Sequence, residues 1–327
     1  MLILTRSDIE KLLPITDCIE VMHNAMSQVS RREVVLPLRQ FMAVPGTKGK
    51  LGLMPGYIAE PASFGVKIVS KYERPADSAH GTHVGAVLLF EAADGLALAL
   101  LEGGTLTAIR TSAASALATR TLARPNSRRL AIIGCGEEAL HHIHAMLAVR
   151  PIEDITVWGR SVTKAEAFAR RVQLPVSVRM TTAATVEEAV AEADIVCTVT
   201  SAATPILKGE WLRAGTHLNL VGSAIPTTAE VDSTCVARGR FYVDYREAAL
   251  AQAGELMTAI REGIVTEDHI IGEIGEVLIG TKAGRQSAEE ITIYKSLGIT
   301  AQDLSAAHHV YVQAKAQAIG TKIDLAR

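Results

Sequence analysis

The sequence predicts an α/β protein, in which a doubly wound parallel sheet is joined to an α+β domain, and three observations carry that reading. After Pro125, short apolar runs alternate with stretches of helical period, a rhythm that belongs to parallel βαβ units. Before Pro125 the rhythm is absent, and β-rich segments are strung between glycine and proline turns. A glycine-rich turn, "GCGEEA" at residues 134–139, follows the apolar run "LAII" directly and opens the βαβ series.

Bulk properties narrow the function classes. A chain of 327 residues, 48% hydrophobic, has room for about two domains with ample core. The formal net charge of -2 arises from intermixed charges without a basic block, so a nucleic-acid partner is not expected. Cys18, Cys135, Cys197 and Cys235 lie far apart with no C-x-x-C pair. That spacing argues against a disulfide framework or a thiolate metal site and fits a reducing cytoplasm. The opening "MLILTRSDIEKLL" lacks the basic region and long apolar stretch of an export signal, and the most apolar segment, residues 85–104, is broken by Glu91 and Asp94. A membrane span is not expected.

Taken in order, residues 1–36 read as a short strand and then a helix. Ser7 and Glu10 make a capping box, and Ile15, Ile19, Met22, Met26 and Val29 recur at three- and four-residue spacing until Pro37. "FGVKIVSKY" and "HVGAVLLFE" read as strands, with "ADG" at 93–95 as a hairpin corner. The alanine-rich stretch 106–123 reads as a helix connecting the domains. Beyond it come the strand "RLAIIG", a helix at 137–149, the strand "DITVWG", a helix at 162–171, the strand "PVSVRM", the helical "VEEAVAEA" and the strand "DIVCTVT". "THLNLVG", "RFYVDY" and "ITIYKSLG" extend the sheet, and a last helix, 301–318, returns to the first domain. The expected division is 119–300 for the sheet domain and 1–118 with 301–327 for the other.

The glycine turn carries the first functional signal. In G-x-G-x-x-A, Gly134 permits the tight turn, Gly136 lets backbone approach a pyrophosphate, and the small Ala139 lets helix pack on strand. Glu137 and Glu138 complement the positive helix N-terminus: they either cap an empty loop or point sideways and leave the amides free. The second strand ends "VWGRSVTK", where a sheet that binds NAD would place Asp or Glu for the ribose hydroxyl. Arg160, Ser161 and Lys164 instead offer charge and a hydroxyl to a 2′-phosphate, which favours NADPH (NADP+), with NADH as the alternative. The plain reading of that segment is a solvated turn with two basic residues. Thr200 and Ser201 end the fourth strand, Gly222 and Ser223 the fifth, and carboxyl ends of adjacent strands line the cofactor crevice in such sheets. His141 and His144 share a helix face, as His308 and His309 partly do, but no Asp, Glu or Cys completes a ligand set, so no metal is expected.

With "MPGY" at 54–57, "LLFEAADGLALALLEGGTLTAIRTSAASALATRTLA", "HLNLVGSAIPTTAEVD" and "ITIYKSLGITAQDLSAA", the sequence resembles the ornithine cyclodeaminase/mu-crystallin family over nearly its whole length. The resemblance implies a homodimer, a Rossmann-type NAD(P)-binding domain and an α+β domain for substrate and dimerisation. It implies an imine beside a carboxylate that exchanges hydride with a nicotinamide. By resemblance, Arg39 in "LPLRQF", Lys67 in "FGVKIVS" and Arg110 in "LTAIRTSA" gather round the substrate carboxylate. Lys67 and Arg110 also lie inside apolar segments, where an unpaired charge would be costly, whereas Arg39 rests on the resemblance. Lys67 could relay a proton to the imine nitrogen if the arginines lower its pKa. Gly298 in "SLG" and Asp303 match the family's closing motif near the nicotinamide, though as plain sequence they are a strand end and a helix N-terminal acid. His83 either faces the substrate or caps a hairpin.

Departures from the family pattern choose among its activities. Cyclodeaminases carry an aspartate in V-G-G-D-x-P, where this chain has Ala224, and a glutamate two residues before "MP", where it has Gly52. Both carboxylates suited to a second amine are missing. Glu138 stands where the family usually has glutamine, which keeps a non-catalytic reading open. The expected function is an NADPH-dependent reductase of small cyclic imino acids, Δ1-pyrroline-2-carboxylate or Δ1-piperideine-2-carboxylate, giving proline or pipecolate. The alternatives are an alanine dehydrogenase-like enzyme acting on an open-chain amino acid, an ornithine cyclodeaminase, and a protein that binds NADPH or a small ligand without turnover.

Overall fold

A computed structural model describes residues 1–72 and 83–324. The chain divides into two compact units, Met1–Arg110 with Ile299–Arg327, and Thr111–Gly298.

The first unit begins with β1 (Leu2–Leu4), α1 (Arg6–Leu12) and α2 (Ile15–Ser30). The single long helix expected here is two. Pro14 has no N–H to give and disfavours helical geometry at the residue before it, so Leu13 leaves the helix at φ -128° and ψ 67°. The cap also differs: Thr5, not Ser7, is the N-cap, and its N–H and hydroxyl donate to Asp8 Oδ2 at 2.8 and 2.7 Å.

The short β2 (Val34–Val35) and β3 (Gln40–Ala43) then flank β4 (Lys50–Ala59), which continues as an antiparallel meander through β5 (Ala62–Lys71), β6 (His83–Glu91) and β7 (Ala97–Glu102). The "ADG" corner turns β6 into β7, with Gly95 at φ +69° and the Ala93 and Asp94 N–H groups donating to the Glu91 carboxylate. Side chains alternate along β5. Ser63, Gly65, Lys67 and Val69 are buried, while Phe64 and Ile68 are exposed. The buried face packs against the C-terminal helix, which also lies on α2.

The helix α3 (Gly103–Leu122) carries the chain into the second unit. Its alanines and serines are buried on every side, as expected of a helix without a polar face.

The second unit opens with β8 (Arg129–Ile133), α4 (Glu137–Val149), β9 (Asp154–Trp158), α5 (Val162–Arg171) and β10 (Arg179–Thr182). It continues through α6 (Val186–Val190), β11 (Ile195–Thr198), β12 (His217–Leu220), α7 (Ser233–Arg238), β13 (Gly239–Val243), α8 (Arg246–Gln252) and α9 (Gly254–Arg261), and closes with β14 (Ile270–Glu273), α10 (Ile274–Leu278) and β15 (Ile291–Lys295). The strand order is β10-β9-β8-β11-β12-β15-β13-β14, every pair parallel. Order reverses between β8 and β11, the switch point where doubly wound sheets bind ligands. The third strand begins at Arg179 rather than at Pro175, because residues 176–177 form a turn closed by the Val178 N–H on the Pro175 carbonyl, and α6 is shorter than "VEEAVAEA". The strand β14 was not expected; its four residues carry too little pattern to separate from a loop.

The chain returns to the first unit as α11 (Thr300–Gln317) and β16 (Thr321–Lys322), the latter antiparallel to β1. From Thr300 to Ala307 every residue of α11 is buried, including Gln302 and Asp303, so those polar side chains require partners.

Candidate functional site

In the first unit, three elements meet on Asp303. Lys67 on β5 places Nζ 3.2 Å from Asp303 Oδ1, and Arg110 on α3 places Nε 2.8 Å from the same oxygen. Arg110 Nη1 also donates to Gln302 Oε1 at 2.9 Å, which fixes the guanidinium plane. Lys67 and Arg110 are 5% and 4% exposed and Asp303 is 0% exposed, so the ion pairs work in a medium of low dielectric. Asp303 Oδ2 is buried without a hydrogen-bond partner among the described residues.

Charge and burial compete here. The Lys67 ammonium is pushed down from the ordinary 10.5 to about 8, chiefly by burial; Asp303 opposes the fall, while Arg110 and then Arg39 add to it. For Asp303, burial favours the neutral acid, but Arg110 and Lys67 outweigh it and hold the carboxyl below its usual range. Arg39 is half-buried in the loop before β3, close enough to be felt by Lys67 and Lys71. Met54, opposite Lys67 on β4, and Val87, opposite it on β6, are both buried and flank Lys67 with apolar residues on the same sheet face. Gly52 lies beside Phe41 on β3, and a Cβ there would meet the Phe41 ring and Val69 at 2.9 Å. The side chain of His83 lies outside the described residues.

In the second unit, the glycine turn divides its labour. Gly134 sits at φ +133°, and a Cβ there would meet the Val199 carbonyl oxygen at 2.7 Å, so the turn itself demands glycine. Gly136 is the N-cap of α4, and a Cβ there would meet nothing within 4 Å. No protein atom needs that space. Ala139 is fully buried. Clear space before a helix N-terminus that Gly136 leaves without a side-chain cap fits a pyrophosphate, whose charge the first-turn amides and dipole would meet. Glu138 holds a carboxylate oxygen 3.6 Å from His142 Nδ1, one turn further along α4, and Glu137 shares the first turn. His142 is the buried histidine of "HHIH": its Nδ1 lies 2.7 Å from the Glu138 carbonyl and its Nε2 3.0 Å from Ser115 Oγ. Burial lowers its pKa from 6.5 to about 4, so the ring is neutral, with Nδ1–H donating to the carbonyl. Among the described residues no group of three or more potential ligands could hold a metal.

At the end of β9, Ser161 caps α5 by accepting the Lys164 N–H at 3.4 Å. Arg160 and Lys164 are exposed and make no ion pair among the described residues, and the Lys164 charge is felt at Cys135 between the two glycines. Basic charge therefore stands beside the glycine turn.

The carboxyl ends of β11 and β12 are tied by a carboxylate that the sequence reading did not single out. Glu230 Oε1 accepts from the Thr200 N–H and hydroxyl, both at 2.7 Å; Oε2 accepts from the Thr198 hydroxyl and the Gly222 N–H, also at 2.7 Å. Behind it, Glu255 accepts from the Glu230 N–H at 3.2 Å and pairs with Lys295 at 3.2 Å, and Lys295 donates to the Ser223 carbonyl at 2.5 Å. Glu230, Glu255 and Lys295 are all buried. Ser223 Oγ is held by Thr228, whereas Ser201 is exposed. Gly298, at φ +75°, and Leu297 both donate N–H groups to Asp244 Oδ2 at 2.8 Å. A lysine inside the apolar run "ITIYKS" was the available sign of this network, because a charge in a central strand needs a partner.

Known proteins share this sequence pattern and fold. The model of the ornithine cyclodeaminase/mu-crystallin family matches residues 1–318. A Delta(1)-pyrroline-2-carboxylate reductase of Bacillus cereus is 36% identical over 325 residues, 99% of this chain and 100% of that one. The solved structure of Thermococcus litoralis Delta(1)-pyrroline-2-carboxylate reductase in complex with NADH and L-proline superposes with a TM-score of 0.95 at 34% identity, covering 99% of this chain and 100% of the other. An archaeal alanine dehydrogenase dimer with bound NAD superposes with a TM-score of 0.90 at 29% identity, covering 99% of each chain.

Proposed function

The chain belongs to the ornithine cyclodeaminase/mu-crystallin family, and from that premise we propose that it is an NADPH-dependent reductase of small cyclic imino acids, converting Δ1-pyrroline-2-carboxylate to proline and Δ1-piperideine-2-carboxylate to pipecolate. The observation that carries this reading is the buried convergence of Lys67 and Arg110 on Asp303. One carboxylate against two cations, with Arg39 adding to the field, leaves a positive site suited to an α-imino carboxylate. The higher identity to the pyrroline-2-carboxylate reductases than to the alanine dehydrogenase supports a cyclic substrate.

A nicotinamide cofactor, held at the glycine turn and the ends of β9, β11 and β12, would supply hydride chemistry at the imine carbon. The chain's own residues do the rest. Arg110, its plane fixed by Asp303 and Gln302, grips the carboxylate together with Arg39, which orients the C=N bond. Lys67, with a pKa of about 8, is charged at neutral pH yet acidic enough to give its proton to the nitrogen as the carbon accepts hydride. The absence of a carboxylate at Gly52 and Ala224 leaves no partner there for a second amine, against ring-forming deamination of a diamino acid.

Unit by unit, Met1–Arg110 with Ile299–Arg327 binds substrate and pairs with a second copy, and Thr111–Gly298 holds the cofactor through Gly134, Gly136, Ala139 and the ends of β9, β11 and β12. Arg160, Ser161 and Lys164 take the 2′-phosphate, which favours NADPH over NADH. A homodimer accounts for the outer face of the first sheet. Phe64, Ile68 and Val84 are 37%, 37% and 38% exposed there, and the Phe64 and Phe90 rings stack at 5.1 Å across β5 and β6. The proposed compartment is the cytoplasm, in keeping with four free cysteines, and no helix among the described residues is long and apolar enough to cross a membrane. The test is NADPH oxidation by the purified protein with both cyclic ketimines, with NADH, and with pyruvate plus ammonia. Turnover of a ketimine supports the reading. Turnover only with pyruvate and ammonia, or with nothing, overturns it.

A further inference from the structure

Four donors converge on one buried side chain at the carboxyl ends of two central strands of the second unit's sheet. Three come from the end of β11 and the segment that leaves it, the Thr198 hydroxyl and the Thr200 N–H and hydroxyl, and one, the Gly222 N–H, belongs to the segment that leaves β12. Gly222 permits the closure. A Cβ there would collide with the Thr200 carbonyl oxygen and stand 2.5 Å from Glu230 Oε1. Thr200 in turn accepts the Ala202 N–H at 3.1 Å, so the path of the loop beyond β11 is set through the same residue.

The position matters because of the strand order. The glycine turn after β8 and the basic residues after β9 lie to one side of the switch point, and β11 with β12 lies on the other. A dinucleotide laid across the switch puts its adenosine half over β9 and its nicotinamide half over β11 and β12. Resting on the dinucleotide-binding part of the reading above, we propose that Glu230 is a positioning residue for the nicotinamide half of the cofactor. By fastening the loops after β11 and β12 to one carboxylate, it sets the gap in which that half lies. Burial pushes the Glu230 carboxyl above its usual range, against the opposing pull of Lys295 and the threonine donors, and Glu255 accepts the Glu230 N–H. A neutral amide of the same shape cannot substitute, since it would aim an NH2 group at donors that both carboxylate oxygens now accept from.

The experiment compares binding of two probes by wild type and Glu230→Gln: NADPH, and 2′-phospho-ADP-ribose, which lacks the nicotinamide. The expected result is a Kd for NADPH raised about tenfold or more with the Kd for the fragment unchanged. In turnover, the KM for NADPH rises while the KM for the imine at saturating NADPH stays as in wild type. Equal weakening of both probes would reduce Glu230 to general support of the sheet, and unchanged binding of NADPH would also overturn the proposal. Should Glu230→Gln fail to fold, Thr198→Val decides, because it removes a single hydrogen bond to the carboxylate from a buried residue. The same selective loss is expected, and its absence refutes the role. Wild-type protein that binds neither probe would instead sink the dinucleotide reading.

Discussion

Asp303→Asn separates the chemistry of Lys67 from mere charge in the site. The carboxylate lies 3.2 Å from Lys67 Nζ and raises its pKa against the pull of burial and Arg110. At an effective dielectric near 20, unit charges at that separation interact by about 5 kcal/mol, nearly 4 pKa units. The carboxylate charge is spread over two oxygens, asparagine keeps an acceptor, and the site can relax, so roughly half, about 2 units, is expected to survive. Lys67 then falls from about 8 to about 6. A proton donor must be charged to act, so the alkaline limb of kcat/KM for the imine should lie near pH 8 in wild type and move acidward by about 2 units in the variant. At pH 7 the charged fraction drops about tenfold, and activity recovers as pH is lowered. The assay is kcat/KM across pH at saturating NADPH, with wild type as reference, because the substrate's own ionisation is common to both. A loosened Arg110 would raise the imine KM by a factor independent of pH and leave the limb in place. A limb that stays put or moves alkaline refutes Lys67 as the donor governed by Asp303.

Three further outcomes are expected. Gly134→Ala forces a side chain onto φ +133° and against the Val199 carbonyl oxygen, so urea denaturation should show a loss of about 2–4 kcal/mol; wild-type stability would mean the turn is built differently. Replacing Arg160 and Lys164 by Asp should raise the KM for NADPH about tenfold or more and leave that for NADH nearly unchanged, and equal effects on both would remove the 2′-phosphate from that turn. Phe64→Glu with Ile68→Glu places charge on the exposed sheet face, and sedimentation velocity is expected to report a dimer for the wild type and a monomer for the variant; an intact variant dimer would show that the copies pair elsewhere, and a monomeric wild type would remove the proposed dimer.

The second unit was the more legible part of the chain, because a parallel sheet buried on both faces writes each strand as an apolar run and each crossover as a helix-length gap. Runs such as "RLAIIG" and "DIVCTVT" therefore stood out, and the helices at 137–149 and 162–171 lie where their spacing put them. Pro14 was overlooked because Ile15 and Ile19 continue an apolar period that has no sign for a chain break. "PVSVRM" alternates like a strand, yet its first half turns, since Pro175 accepts the Val178 N–H and starts a turn there. In the site, Lys67 and Arg110 were legible as charges in apolar surroundings. Asp303 stood out through the family resemblance alone, because as plain sequence a helix N-terminal acid has an innocent explanation in the dipole, and nothing local pairs it with Lys67 and Arg110. Glu230 and Glu255 were hidden for a different reason: their partners come from strands up to 40 residues away, and nothing local marks a carboxylate that folding will bury.

Catalysis by this chain is expected to place a hydride on an imine carbon beside a carboxylate. The most direct test is reduction of Δ1-pyrroline-2-carboxylate with NADPH deuterated at the transferring position, followed by mass and NMR analysis of the product. Proline carrying one deuterium on the α-carbon is the expected result. Proline formed without that label, or NADPH consumed without proline, would contradict the account.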